Sequence, residues 1–322
     1  MRSSTERLVD TNGVQLRVTE AGDRGAPVVV LAHGFPELAF SWRHQIPALA
    51  EAGYHVLAPD QRGYGGSSRP NAIEAYNIHE LTADIVGLLD DVGAERAVWV
   101  GHDWGAAVVW NAPLLHPERV TAVAALSVPA LPRPHRAPTE VWRKRFGDNF
   151  FYILYFQEPG VADAELDADP ARTLRGMMAG IGATGDPAAG LRMLAPGPEG
   201  FVERLAQPDA LPQWLSQEEL DHYISEFSRT GFTGGLNWYR NFDRNWETTA
   251  ELADAKIDVP CLFIGGTADP VLTFTPADRA TELIAGPYRQ VMIDGAGHWL
   301  QQERPDEVNA LLLEFLNGLE LR

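Results

Sequence analysis

The 322-residue chain carries 26 Lys and Arg against 44 Asp and Glu, a formal net charge of −18. So acidic a surface repels phosphate backbones and anionic lipid, which argues against nucleic-acid binding and attachment to a membrane surface. One cysteine, Cys261, forbids an intrachain disulfide and a cysteine metal cluster, and no run of about 18 apolar residues is present to span a bilayer. Residues Met1 to Arg7 lack the apolar character of a signal peptide, so a cytoplasmic location is expected.

Residues 8–20 hold two short alternating runs around Asp10-Thr11-Asn12-Gly13, whose Asn-Gly pair predicts a hairpin. Strand-like apolar runs then recur at Pro27–Leu31, His55–Ala58, Ala97–Val100, Val120–Leu126, Pro260–Ile264 and Arg289–Ile293. Segments of helical period separate most of them, Ile78–Val92 among these. Alternating strands and helices predict an α/β domain, a mainly parallel sheet with helices on both faces. Cys261 falls inside a strand run and is expected as a small core hydrophobe.

The rhythm breaks near Leu131-Pro132-Arg133-Pro134, a helix-hostile linker, and resumes after Trp246. Between them the pattern predicts helices only: Glu140–Phe156 behind a cap at Thr139, and Gln217–Arg229 behind Ser216, with Glu219 completing a capping box. The stretch from Gly180 to Gly200 reads as loop, and Met177-Met178 as core. The expected organisation is an α/β core over 1–131 and 247–322, interrupted by a helical insertion over 132–246.

Gly101-His102-Asp103-Trp104-Gly105 stands between a predicted strand and a helix starting at Ala106. A small-x-nucleophile-x-small run in that setting is a nucleophile elbow, a tight turn that lifts one side chain above the sheet. The tip is an aspartate. A carboxylate oxygen, ionised at neutral pH, displaces at a strained or activated saturated carbon and leaves an alkyl ester on the protein. That chemistry is epoxide opening or dehalogenation rather than serine-type ester hydrolysis. The glycines of Asp60-Gln61-Arg62-Gly63-Tyr64-Gly65-Gly66-Ser67 lack the following Lys-Ser/Thr of a phosphate loop and read as a structural turn. Histidines 44, 55, 79, 102, 116, 135 and 222 show no metal-ligand spacing, so no metal site is expected.

With the elbow, the runs His33-Gly34-Phe35-Pro36-Glu37 and Gly295-Ala296-Gly297-His298-Trp299 resemble the epoxide hydrolases of the α/β-hydrolase fold. In the insertion, Phe151-Tyr152-Ile153-Leu154-Tyr155-Phe156-Gln157-Glu158-Pro159-Gly160 and Leu236-Asn237-Trp238-Tyr239-Arg240-Asn241 are similar to the soluble members. The likeness spans nearly the whole chain, and it makes the insertion a cap. The order of the fold's triad is nucleophile, acid, histidine. Asp103 comes first, Asp269 follows a late strand run, and His298 follows the last one. Alone, Asp269-Pro270 would read as a plain turn. The resemblance further implies an oxyanion hole from the backbone N–H groups of Phe35 and Trp104, and a cis bond before Pro36. It also implies that Tyr152 and Tyr239 donate to the epoxide oxygen. Phenols of pKa about 10 remain protonated at neutral pH and suit that task; Tyr155 and Tyr223 read as packing.

The implied partners are a small lipophilic epoxide and water, with no cofactor. Nothing in the sequence reports oligomeric state. Haloalkane-type dehalogenases share the aspartate and the triad, and they are the alternative. They lack paired cap tyrosines and often place the acid earlier, where Leu126-Ser127-Val128-Pro129 offers no carboxylate. The arginines expected in a fluoroacetate-type enzyme are replaced by Trp104 and Ala107. A non-catalytic binder on the same fold would show a degenerate triad, and this triad is intact.

Overall fold

The computed structural model describes residues 4–181 and 192–319. Asn12 and Gly13 take positive φ of 43° and 73°, closing a hairpin between β1 (Thr5–Thr11) and β2 (Val14–Ala21). Positive φ at both central residues is the turn that matches strand twist, which is why Asn-Gly foretold it. The six apolar runs become β3 (Val28–Ala32), β4 (His55–Pro59), β5 (Ala97–His102), β6 (Val120–Leu126), β7 (Cys261–Gly266) and β8 (Tyr288–Ile293).

Among the described residues the eight strands form one sheet in the order β1-β2-β4-β3-β5-β6-β7-β8. The β1–β2 and β2–β4 pairs are antiparallel and every later pair is parallel. Val29, Leu31, Val56, Val98 and Val100 share one core cluster with Ile46 and Leu49 of α1 (Gln45–Glu51) and with Val308 and Leu312 of helix Pro305–Asn317. Alternate residues such as Val30 and Trp99 are equally buried, as strands covered on both faces require. Cys261 is buried in β7 as expected, and burial pushes its thiol up to about 12. β3 lies between β4 and β5, so the chain leaves β3 and β5 toward opposite sides. Open α/β sheets place ligands at such a switch point, beyond the carboxyl ends of the strands.

The chain divides into two compact units. The first, Met1–Ser68, Ile78–Pro132 and Asp254–Arg322, holds the sheet together with α2 (Ile78–Val92) and α3 (Trp104–Leu115). The second, Arg69–Asn77 and Arg133–Ala253, has helices and no strand among its described residues. The segment Arg69–Asn77 lies outside the insertion expected from sequence, yet Asn241 donates to the carbonyl of Ile73 at 2.6 Å.

Three expectations for the second unit need correction. The single helix predicted over Glu140–Phe156 is two pieces, Pro138–Phe146 and the one-turn Tyr152–Tyr155. Gly147, at φ 57°, stops the first. Thr139 is not its cap. It sits inside the first turn, and its hydroxyl donates to Asp243 at 2.5 Å. The helix Gln217–Thr230 does start with the expected box, Ser216 accepting from the Glu219 N–H at 3.2 Å and Glu219 from the Ser216 N–H at 2.8 Å. Within the loop expected at 180–200, residues 182–191 lie outside the described residues. Residues 192–194 are helical, against the loop expected there, while residues 195–200 are irregular, and the Arg204 guanidinium donates to the carbonyls of Ala195, Gly197 and Glu199. Met177 and Met178 are buried, as expected of core residues.

The turn after β5 depends on a close backbone approach. A Cβ added to Gly105 would lie 2.0 Å from the carbonyl oxygen of Ala32. Neither strand nor helix can give way cheaply. Gly105→Ala is expected to destabilise the fold by roughly 3 kcal/mol or more. Chemical denaturation against the parent measures it, and a change within the noise would contradict the packing described.

Candidate active site

Asp103 joins β5 to α3 with φ 52° and ψ −116°, a conformation that non-glycine residues adopt only under constraint. Its N–H donates to Leu126 at 3.3 Å, and its carbonyl accepts from Ala106 and Ala107 at 3.0 and 3.2 Å. Opposite, the loop after β3 comes close because residue 34 has no side chain. A Cβ there would stand 2.4 Å from the Asp103 Cβ. That approach brings the Phe35 N–H to 2.8 Å from Asp103 Oδ1. The Phe35–Pro36 bond is cis, as the resemblance implied. Trp104 is the first residue of α3, so its N–H belongs to the helix end that favours negative charge.

The first unit brings the three triad candidates together. His298 Nδ1 lies 3.0 and 3.1 Å from the Asp269 carboxylate oxygens. Asp269 Oδ1 also accepts the Val271 N–H at 2.8 Å, so one carboxylate caps the turn after β7 and orients the imidazole. The other ring nitrogen, Nε2, is 3.6 Å from Asp103 Oδ2. That is beyond a good hydrogen bond but close enough for charge to matter. Burial by itself would raise the Asp103 carboxyl; His298, His102 and the Phe35 N–H hold it below the usual carboxylate range. Burial would likewise lower the His298 imidazole, but Asp269 and Asp103 raise it well above the ordinary histidine value.

A set of polar residues to which the sequence reading gave no role fixes this loop. Glu303 accepts the N–H groups on either side of His298, Gly297 at 2.8 Å and Trp299 at 2.9 Å. The His298 carbonyl accepts from Ser127 Oγ at 2.6 Å and faces His102 Nε2 at 2.7 Å. His102 Nδ1 lies 2.7 Å from Glu37 Oε2. Glu37, fully buried, also accepts from the Gly34 N–H and from the side-chain amides of Gln301 and Gln302. Burial would raise the Glu37 carboxyl, yet His102 and the surrounding donors hold it low. Oxygen on both sides of the His102 ring makes it a bridge between the loop carrying Phe35 and the loop carrying His298. Both residues stood in motifs read from the sequence. Only the fold shows what they hold.

Tyr152 and Tyr239 belong to the second unit, and there they meet. Their ring centroids are 6.0 Å apart at an interplanar angle of 76°. Phe156, fully buried, stands edge-on to each at 5.5 and 5.1 Å. Tyr155 is engaged elsewhere: its hydroxyl donates to Glu165 at 2.8 Å, and burial with that carboxylate raises the phenol above its ordinary value. Tyr223 is fully buried, as expected of packing. Among the described residues no cluster of His, Cys, Asp or Glu could hold a metal ion. No described helix is long and apolar enough to cross a membrane.

A mainly parallel sheet with an acid-tipped elbow after β5 and a histidine after β8 is the layout of one large class of proteins. The family model described as alpha/beta hydrolase fold matches residues 27–305, and the chain belongs to that family. Over its full length it is 78% identical to Epoxide hydrolase A of Mycobacterium tuberculosis, the alignment covering 100% of both chains. The crystal structure of Epoxide Hydrolase A from Mycobacterium thermoresistibile superposes with a TM-score of 0.97 at 69% identity, covering 99% of this chain and 100% of that one. An epoxide hydrolase from an endophytic Streptomyces gives 0.94 at 42% identity, covering 99% and 96%. Within the α/β-hydrolases, the chain belongs to the epoxide hydrolases.

Proposed function

We propose that this protein hydrolyses small lipophilic epoxides to vicinal diols through a covalent ester on Asp103. In the first step an Asp103 oxygen attacks one epoxide carbon in line, and the carbon–oxygen bond of the ring breaks. The departing oxygen takes a proton from the phenols of Tyr152 and Tyr239, since an alkoxide leaves poorly without one. In the second step His298 Nε2 takes a proton from water as the water oxygen adds to the Asp103 carboxyl carbon. The N–H groups of Phe35 and Trp104 receive the oxyanion of that adduct. His298 returns its proton to the departing hydroxyl, the carboxylate re-forms, and the second proton of the water restores the phenol through solvent. Residues 132–246 act as the cap that supplies the phenols. The observation that carries this reading is a carboxylate, not a hydroxyl, at the elbow beside a histidine that is itself held by Asp269.

The charges around His298 give the second step its timing. In the free protein two anions raise the imidazole well above the ordinary histidine value, and a protonated ring is no base. Ester formation neutralises Asp103 and removes one of them, so the His298 value falls when a base is needed. Ester hydrolysis should therefore rise with pH through a lower midpoint than the titration of His298 in the free protein. Single-turnover kinetics across pH, beside an NMR titration of the ring, compare the two. An equal or higher midpoint for hydrolysis would remove this argument.

Asp269→Asn tests the acid. It should slow ester hydrolysis by roughly a thousandfold or more, because the imidazolium loses its counter-charge and its fixed tautomer. Ester formation should suffer much less. Equal slowing of both steps would make Asp269 a general structural residue. The function as a whole is tested by turnover of aryl and alkyl epoxides beside halogenated alkanes. Diol release without halide release is the expected result; halide release with inert epoxides would favour a dehalogenase.

A further inference from the structure

We infer that Gln157 is a positioning residue that sets the spacing of Tyr152 and Tyr239, with Arg240 as a second pin. The inference rests on the reading of these two phenols as proton donors. Tyr152 lies in a helix of four residues, Tyr152–Tyr155, too short to be stable by itself; the Phe156 N–H closes it on the Tyr152 carbonyl at 2.9 Å and the Gln157 N–H reaches the Leu154 carbonyl at 3.3 Å. Tyr239 ends another short helix, Thr233–Tyr239. The side-chain amide of Gln157 spans both, since Nε2 donates to the Ile153 carbonyl at 2.9 Å and to the Tyr239 carbonyl at 3.0 Å. Its two hydrogens thus tie the backbone beside one phenol to the backbone of the other.

Arg240 repeats the connection next door. Its Nε donates to the Phe156 carbonyl at 3.1 Å, and Nη1 to Asn237 at 2.9 Å and Asp163 at 3.2 Å. The Arg240 side chain is almost wholly buried, so these bonds face little competition from water. Between the tied segments the Phe156 ring acts as a spacer, edge-on to both phenols. Two hydroxyls can serve one oxygen only at a fixed separation. An error of about 1 Å in such a constellation costs about a hundredfold in rate.

Gln157→Glu keeps the shape, removes both hydrogens and sets a negative charge against two carbonyls. Gln157→Met removes the donors without adding charge. Rapid-mixing single turnovers separate formation of the Asp103 ester from its hydrolysis. Either variant should slow formation about tenfold or more while hydrolysis stays near the parent rate. In a Tyr239→Phe background, where no pair is left to space, the same change should add little. If the Gln157 variants form the ester at the parent rate while Tyr152→Phe and Tyr239→Phe do not, this inference fails and the donor reading stands. If the phenylalanine variants themselves keep the parent rate, the donor reading fails and this inference with it. An undiminished effect in the Tyr239→Phe background would overturn it, as would loss of folding in both Gln157 variants. Gln157 would then hold the unit together rather than space two rings.

Discussion

His298→Gln should convert the protein into a trap, heavier after exposure to an epoxide by the mass of that epoxide. Glutamine is similar in reach but takes no proton from water, so the second step stops while the first can proceed. Steady-state turnover should fall about ten-thousandfold, the scale on which triad losses act elsewhere. Intact-protein mass spectrometry would record the gain, and peptide mapping should place it on Asp103. The variant carries a second signature. The His298 cation is one of the groups that hold the Asp103 carboxyl low against burial, and only an ionised Asp103 can attack. Without that cation the carboxyl titrates higher, so ester formation should fail on acidification at a higher pH than in the parent. The Phe35 N–H at 2.8 Å remains and keeps the shift partial. Undiminished turnover, or an adduct on another residue, would show that Asp103 and His298 have been assigned wrongly.

The parts of this molecule that repeat locally were legible in its sequence. Strands buried on both faces are short apolar runs, so β3 to β7 stand out in the sequence. Asn12-Gly13 announced its hairpin because few other pairs tolerate positive φ twice. The elbow marks Asp103, and the triad order of the fold it resembles marks Asp269 and His298; the structure brings the three together. What escaped was long-range and polar. Glu37 and Gln301 are 264 positions apart, and Ser127 reaches the His298 carbonyl across 171; no period or spacing encodes such pairs. Gly147 escaped for another reason. A lone glycine inside a helical pattern is tolerated more often than not, and only its positive φ shows that here it ends the helix. Arg69–Asn77 groups with the second unit through tertiary contacts alone, Asn241 with the Ile73 carbonyl among them.

Removing both phenol hydroxyls, Tyr152→Phe with Tyr239→Phe, should nearly abolish epoxide opening and leave any ester already formed free to hydrolyse. The reason is the leaving group. An epoxide oxygen departs as an alkoxide far more basic than phenolate, so the transition state gains strongly from a proton donor, on the order of a hundredfold or more in rate. Each single change should cost less than the pair, because the remaining phenol still donates. The rings are well suited to so clean a test. Phenylalanine keeps the edge-on packing of Phe156 against both positions, so the fold should not change. The control lies in the leaving group itself. A substrate that expels a stable anion without needing a proton should alkylate Asp103 in the double variant nearly as fast as in the parent. Epoxide opening at the parent rate in the double variant would strike both tyrosines from the mechanism. Equal loss with both kinds of substrate would mean that the phenols shape the binding site rather than supply a proton. The expected pattern, epoxide opening lost and proton-independent alkylation kept, follows only if the hydroxyls act at the departing oxygen.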